Sequence, residues 1–440
     1  MTDSTDPANL TDPADPTDHH IVIVETLTTG SGLSVVEAAT RRARRVTFVT
    51  RDLDRYVADP LRGLLDSDAV DCRVRETRSA SELGAVFRGL PTDSPITLIV
   101  PNELFLLPTA VAAEQAGLPF LPVPAVRLIR DKHAFRRACA AAGVSAPAST
   151  AAVTVEEAVA AAGTTGYPVV LKPSIGTGSY GVVTAWDADE VRARFPDVLA
   201  EAGAQSGVPL VEGFLIGPVV SAEVLYTAGT PHVLGISDRI MSELPYFLEL
   251  AARFPAALAV RTHQEIERIC GALGALLSYE RGPAHIEFAL TAQGPVVIEF
   301  NPRFAGRNIA SMVSAALGWN VFDGIIASYL GEPVRVPTPV GAAAEHALYA
   351  RRGGRFVGIA GQELARRVPG VEEIRVTARP GATLPDAKDQ RGEYGNLWCT
   401  GATTEEASIR AATAAAYLRP EFDDPEPQRM SRQNPPPGAD

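Results

Sequence analysis

Lys172 closes a short β-branched run, Val169 to Leu171, and is followed by a loop carrying Gly176, Gly178 and Gly181. Lysine beside glycines suggests phosphate, but in a P-loop the glycines come first and the lysine opens a helix. Here the lysine comes first, on a strand, and the glycines form a flap behind it. The choice of lysine is itself informative. Of 40 basic residues only Lys132, Lys172 and Lys388 are lysine, and the remainder are arginine. Arginine is a planar fork, whereas lysine is a compact point charge that reaches between phosphate oxygens.

A second constellation lies in AHIEFALTAQGPVVIEFNPR, which reads as two strands, 284–290 and 295–300, joined at Gly294. Glu287 and Glu299 sit inside the two apolar runs, and Asn301 follows. Adjacent antiparallel strands bring same-face side chains to within about 5 Å. Two buried carboxylates that close repel, and one takes up a proton unless a cation lies between them. Two carboxylates and an amide oxygen are hard donors suited to Mg²⁺ bridging phosphates. Arg303 adds a planar cation where phosphoryl charge would build up.

The elements that must hold these residues alternate. IVIVE, a Gly-containing turn, a helix through about Arg44 and RVTFVT form a βαβ unit of the doubly wound type. The turn lacks G-x-G-x-x-G and no acidic residue closes the second strand, which disfavours a dinucleotide. A helix from about Asp131 to Ala142, with Asp131 as N-cap, carries Lys132 in its first turn. LVEGFL reads as a strand, VSAEVLYTAGTPHVLGISDRI as a hairpin turning at Ala228-Gly229, and residues 262–278 as a helix. Residues 342–420 read as short strands and a final helix, a separate small domain or lid.

At 440 residues and a net charge of −12 the chain should hold several domains and lacks the basic face of a general nucleic-acid binder. No apolar run approaches the 18 or so residues of a membrane span, and no secretory signal is apparent. Cys72, Cys139, Cys270 and Cys399 form no C-x-x-C and read as reduced cytosolic thiols. The expectation is therefore a cytoplasmic protein that binds neither nucleic acid nor membrane. His263 and His285 read as structural rather than as catalytic bases.

Lys132 in RDK, Lys172 in VVLKPSIGTGSYG, Glu212 in VEGFL, Glu223 in SAEV, and Glu287 with IEFNPR occur in the order found in the ATP-grasp superfamily, which the chain resembles over most of residues 21–420. The resemblance implies an α/β (α+β) ATP-grasp fold. Its parts would be tails at 1–18 and 423–440, a Rossmann-like domain at 19–125, an A subdomain with the flap at 126–208, a B subdomain with the metal site at 209–335 and a lid-like domain at 336–422. It also implies roles. Lys132 and Lys172 would contact ATP phosphates. Ser174, Gly176, Thr177, Gly178, Ser179 and Gly181 would close over them. Glu212, Gly213, Phe214 and Leu215 would meet the adenine edge, and Glu212 or Glu223 the ribose. Glu287, Glu299 and Asn301 would hold a pair of Mg²⁺ ions, or Mn²⁺ in their place, with Arg303 and Lys172 as catalytic residues.

Within the superfamily, LPYFLELAARFPAAL resembles the substrate segment of the carboxylate–amine ligases, especially the L-amino-acid (dipeptide) ligases. Glu249 matches the acid expected to hold a substrate amino group, while Ala251 and Ala252 replace the usual Gly and His. Gly306 and Arg303 would also face substrate, and Arg307 is expected to grip a carboxylate of an anionic one. The implied reaction joins an acid and an amine through an acyl phosphate, in the manner of peptide-like secondary metabolite synthesis; dimers are common in the family. A bicarbonate-activating enzyme of the carboxylase branch and a non-catalytic ATP-binding module are the alternatives, the second disfavoured by the intact Glu287–Glu299–Asn301–Arg303 set.

Overall fold

The computed structural model describes residues 17–28 and 32–423. The expected tails lie outside the described residues except at their inner ends, where Thr17 and Asp18 open the first strand and Asp423 closes the last.

The first unit is a parallel four-stranded sheet in the order Asp71–Val74, Ala43–Thr50, Thr17–Val24, Ile96–Ile99. The first helix, Ser34–Arg42, stops two residues earlier than expected. Arg44 and Arg45 belong to the following strand, where ion pairs to Asp18 and Asp93 hold them extended. A 3₁₀ turn, Glu103–Phe105, capped by Asn102, follows the fourth strand and brings Glu103 toward the centre of the molecule.

The flap belongs to a four-stranded antiparallel sheet in the order Ser149–Ala151, Pro209–Gly213, Val169–Pro173, Val183–Ala185. Val169 and Leu171 point into the core beneath it. Lys172, between Leu171 and Pro173, points the other way.

The largest sheet has eight strands. Gly294–Asn301 lies at one edge, followed by Gly282–Thr291, Val219–Thr227, Thr230–Met241, Glu249–Phe254, Ala342–Tyr349, Glu393–Gly401 and Val371–Val376. The predicted hairpin turns at Ala228 and Gly229, both with positive φ (49° and 77°), the geometry of a two-residue turn. The helix Val260–Leu277 covers one face through Ile266, Ile269, Cys270, Leu273 and Leu277, a spacing that forms one stripe. The opposite face carries the polar residues of the site.

The C-terminal region is not the separate lid expected of it. Ala342–Tyr349 pairs with Glu249–Phe254, with Ala252 opposite Glu345, so that three of its strands continue the large sheet. The helix Thr404–Tyr417 covers them through Ala407, Ala411 and Ala414. Among the described residues no single helix is long and apolar enough to cross a membrane. The bent pair Ile309–Leu317 and Val321–Leu330 packs within the largest apolar cluster.

Candidate active site

A cleft with about 990 Å³ of empty space, open to solvent, lies between the flap sheet and the large sheet. Lys132, Lys172, Gly176 to Ser179, Glu212 to Leu215, Glu287 and Glu299 all line it. The structure thus brings these residues together, beside Arg136, Tyr180, Met241 and Phe247, which the sequence did not single out.

Lys132 opens its helix immediately after Asp131, whose side chain accepts from the backbone N–H of His133 and Ala134. That cap fixes the first turn, and the Lys132 N–H donates to the Ser174 carbonyl at 2.8 Å. The side chain then spans the cleft: Nζ donates to the Gly176 carbonyl at 2.7 Å and pairs with Glu299 at 3.1 Å. Lys172 and Glu212 lie diagonally across the antiparallel pair, where Val170 faces Glu212 and Lys172 faces Leu210, and their side chains form an ion pair. Burial drives the Lys172 ammonium down, Glu212 pulls it back up, and the result is a pKa of about 8. Glu212 also accepts from Arg136 Nε at 3.2 Å. Its carboxylate thus sits between two cations. The Phe214 N–H donates to the Pro168 carbonyl, so that group does not face a base.

In the flap, Gly178 (φ 64°) and Gly181 (φ 68°) occupy the left-handed region, and a Cβ at 181 would meet Glu201 at 2.9 Å. Glycine is required there by backbone and space together. Ser174 and Gly181 support the loop rather than line the cleft; Ser174 Oγ accepts from the Val208 N–H. The flap is held closed from two sides. Thr177 donates to Glu103 at 3.2 Å, while the Gln390 N–H donates to the Gly178 carbonyl and the Arg391 guanidinium lies 4.6 Å from the Tyr180 ring centre.

Glu287 and Glu299 are direct partners in the strand register, as the pairing argument required. Burial pushes Glu287 up, but Arg239 and His285 beside it hold it well below the usual carboxylate range. Asn301 follows on the same face, opposite His285. The described residues contain no group of three or more His, Cys, Asp or Glu side chains arranged for a metal. The donor set is two carboxylates and an amide. All are oxygen donors and the cations now compensating them are movable side chains, so the residues fit Mg²⁺ or Mn²⁺.

Three expectations are corrected. Glu223 does not face the cleft. It is fully buried, and Oε1 accepts from His285 Nδ1 at 2.8 Å and from the Ser221 hydroxyl at 3.2 Å, while Oε2 has no partner among the described residues. Arg303 does not line the cleft either. It pairs with Glu103, which it holds down at about 2 against the upward push of burial, and donates to the Phe304 carbonyl. Arg307 cannot grip an anionic substrate in this arrangement. Its donors face Glu393 (3.1 Å), Glu345 (3.3 Å), Glu249 (3.5 Å), the Glu249 carbonyl and the Tyr349 hydroxyl. Four of its five N–H groups are hydrogen-bonded within this cluster. Gly306 precedes Arg307, whose φ of 49° turns the side chain into this cluster; a Cβ on Gly306 would meet nothing within 4 Å.

Glu249 opens a strand and pairs with Arg239 at 2.6 Å. Arg239 went unnoticed in the sequence, yet it connects the candidate amine and metal subsites: it also reaches Glu287 at 3.4 Å and His285 Nε2 at 2.7 Å. Burial pushes the His285 imidazole down, but Glu223 and Glu287 beside it bring it up to about 9. Glu103 and Arg136 were missed as well. Arg136 had one usable signal, its position four residues after Lys132 on the same helix face. Glu103 had none, since its partners lie 74 and 200 residues away in sequence.

The comparisons with known proteins agree with this geometry. Residues 165–311 match the ATP-grasp domain family, and residues 346–423 match the L-amino acid ligase C-terminal domain 2. The uncharacterized protein y4rH of Sinorhizobium fredii is 30% identical over 387 residues, covering 86% of this chain and 78% of that protein. Alanine–anticapsin ligase of Bacillus subtilis is 27% identical over 237 residues; the match takes in 49% of this chain and 50% of that protein's length. The crystal structure of an L-amino acid ligase from Bacillus licheniformis superposes with a TM-score of 0.75 at 23% identity, over 93% of this chain and 100% of that one. The chain belongs to the ATP-grasp enzymes. Within them its residues 346–423 carry an L-amino acid ligase C-terminal domain, and a carboxylate–amine ligase is among its relatives.

Proposed function

We propose that the protein condenses a carboxylate, of an amino acid or related acid, with an amine through an acyl phosphate, releasing ADP and phosphate. The observation that carries this reading is the register pairing of Glu287 with Glu299 in the cleft that also holds Lys132, Lys172 and the flap. Glu287, Glu299 and Asn301 would hold Mg²⁺ or Mn²⁺, as a pair of ions, and the metal would supply charge neutralisation for the polyphosphate.

The chain's own residues supply position and charge. Lys132 and Lys172 align the phosphates so that the substrate carboxylate can attack the γ-phosphorus in line. Glu249 would receive the ammonium of a substrate. The amine then attacks the acyl carbon and phosphate departs. Closure of the flap excludes water, which would otherwise hydrolyse the acyl phosphate. Small-molecule substrates, a cytoplasmic setting and a homodimer complete the proposal.

The test is phosphate release with Mg·ATP across a grid of amino acids, offered singly and in pairs, with bicarbonate as a separate arm. Release requiring one acid and one amine together is the expected result. Release that depends on bicarbonate alone would replace this reading with the carboxylase one.

A further inference from the structure

Beside the two lysines, the cleft wall holds a guanidinium with most of its donors unused. Arg136 lies one helical turn beyond Lys132, lines the cleft and is only 3% exposed. Nε donates to Glu212 Oε1, but Nη1 and Nη2 have no acceptor among the described residues. Those two nitrogens carry four N–H groups of a charged side chain out of contact with water, and leaving them unpaired is costly. Glu212 meets Arg136 only through Nε, and its other oxygen pairs with Lys172.

The charges around the cleft indicate what kind of acceptor is missing. Glu287 and Glu299 are the candidate metal donors, and Lys132 now pairs with Glu299. When a metal takes that carboxylate, Lys132, Lys172 and Arg136 face the single carboxylate of Glu212. A polyphosphate answers that surplus, and the planar fork of arginine suits two phosphate oxygens.

We propose that Arg136 is a third phosphate-binding residue of the cleft, offering Nη1 and Nη2 to the nucleotide while Nε keeps Glu212 aligned with Lys172. This rests on the cleft being the ATP site. The experiment measures displacement of a fluorescent ATP analogue from the full chain by ATP, ADP and adenosine. Wild type is compared with Arg136→Met, Arg136→Lys, Glu212→Gln and the Glu212→Gln/Arg136→Met pair, with melting temperature as the check on folding.

Loss of charged hydrogen bonds should weaken ATP and ADP about tenfold or more in Arg136→Met. Adenosine should change by less than about twofold, within the error of such measurements. Arg136→Lys, which keeps a cation for Glu212 but not the fork, should also lose ATP affinity. The loss should persist in the Glu212→Gln background, since it does not act through Glu212. Equal loss for adenosine, or disappearance of the effect in that background, would overturn the proposal. Failure of the wild-type chain to bind ATP at all would overturn the ATP-site reading together with it, and is separately recognisable.

Discussion

At Lys172 burial favours the neutral amine and Glu212 the ammonium, leaving a pKa of about 8 where an exposed lysine has 10.5. If the ammonium binds phosphate, ATP affinity should fall as pH rises through about 8, and a binding titration from pH 7 to 9.5 would show it. Stability should move in the opposite direction. Between about 8 and 10.5 the unfolded chain holds the proton that the folded chain has released, so this residue's contribution rises with pH across that window and is absent in Lys172→Met. Glu299→Gln should abolish ATP turnover while leaving a folded protein, read by ADP release and circular dichroism; near-normal turnover would remove the metal assignment. Arg307→Ala should instead act on folding, by about 3–5 kcal/mol in denaturant titration, because it removes the cation shared by the buried Glu345 and by Glu393, while Glu249 keeps Arg239. Lys172 and Glu299 could be read in the sequence because each was anomalous locally: a lysine among arginines, an acid inside an apolar run. Arg307 was misread for the opposite reason. The carboxylates that claim it come from three different strands, and nothing near residue 307 announces them.

The elements divide in the same way. The metal hairpin, the Ala228-Gly229 hairpin and the helix over Lys132–Ala141 follow from alternation, turn residues and a cap, all local signals. The pairing of Glu249–Phe254 with Ala342–Tyr349 joins segments nearly a hundred residues apart and leaves no local trace, so the C-terminal strands were expected to stand alone. The flap is the element whose conformation is most open to test. A Cβ at Gly178 would lie 3.0 Å from both Gln390 Oε1 and the Tyr180 ring, at a φ of 64°. Gly178→Ala should therefore disfavour the closed flap by about 1 kcal/mol. The expected outcome is a several-fold rise in KM for ATP with a small change in melting temperature, checked by steady-state kinetics.

Across the whole molecule, Glu103 joins the parallel N-terminal sheet to the chemistry. It touches Thr177 of the flap and Arg303 beyond the metal strand at once. Glu103→Gln should weaken ATP binding, because it releases Thr177 of the cleft wall as well as Arg303; an unchanged ATP affinity in a displacement titration would argue against that link. The eight-stranded sheet has a different consequence, which concerns synthesis. When a ribosome has delivered residues through Asn301, Glu249–Phe254 is still an open edge, with Ala251, Ala252 and Phe254 awaiting Ala342–Tyr349. Such an apolar edge is a template for pairing with other chains. A nascent or truncated chain ending near residue 335 should therefore aggregate even though every proposed nucleotide and metal ligand is already present, and the last hundred residues serve partly as the protein's own guard against self-association.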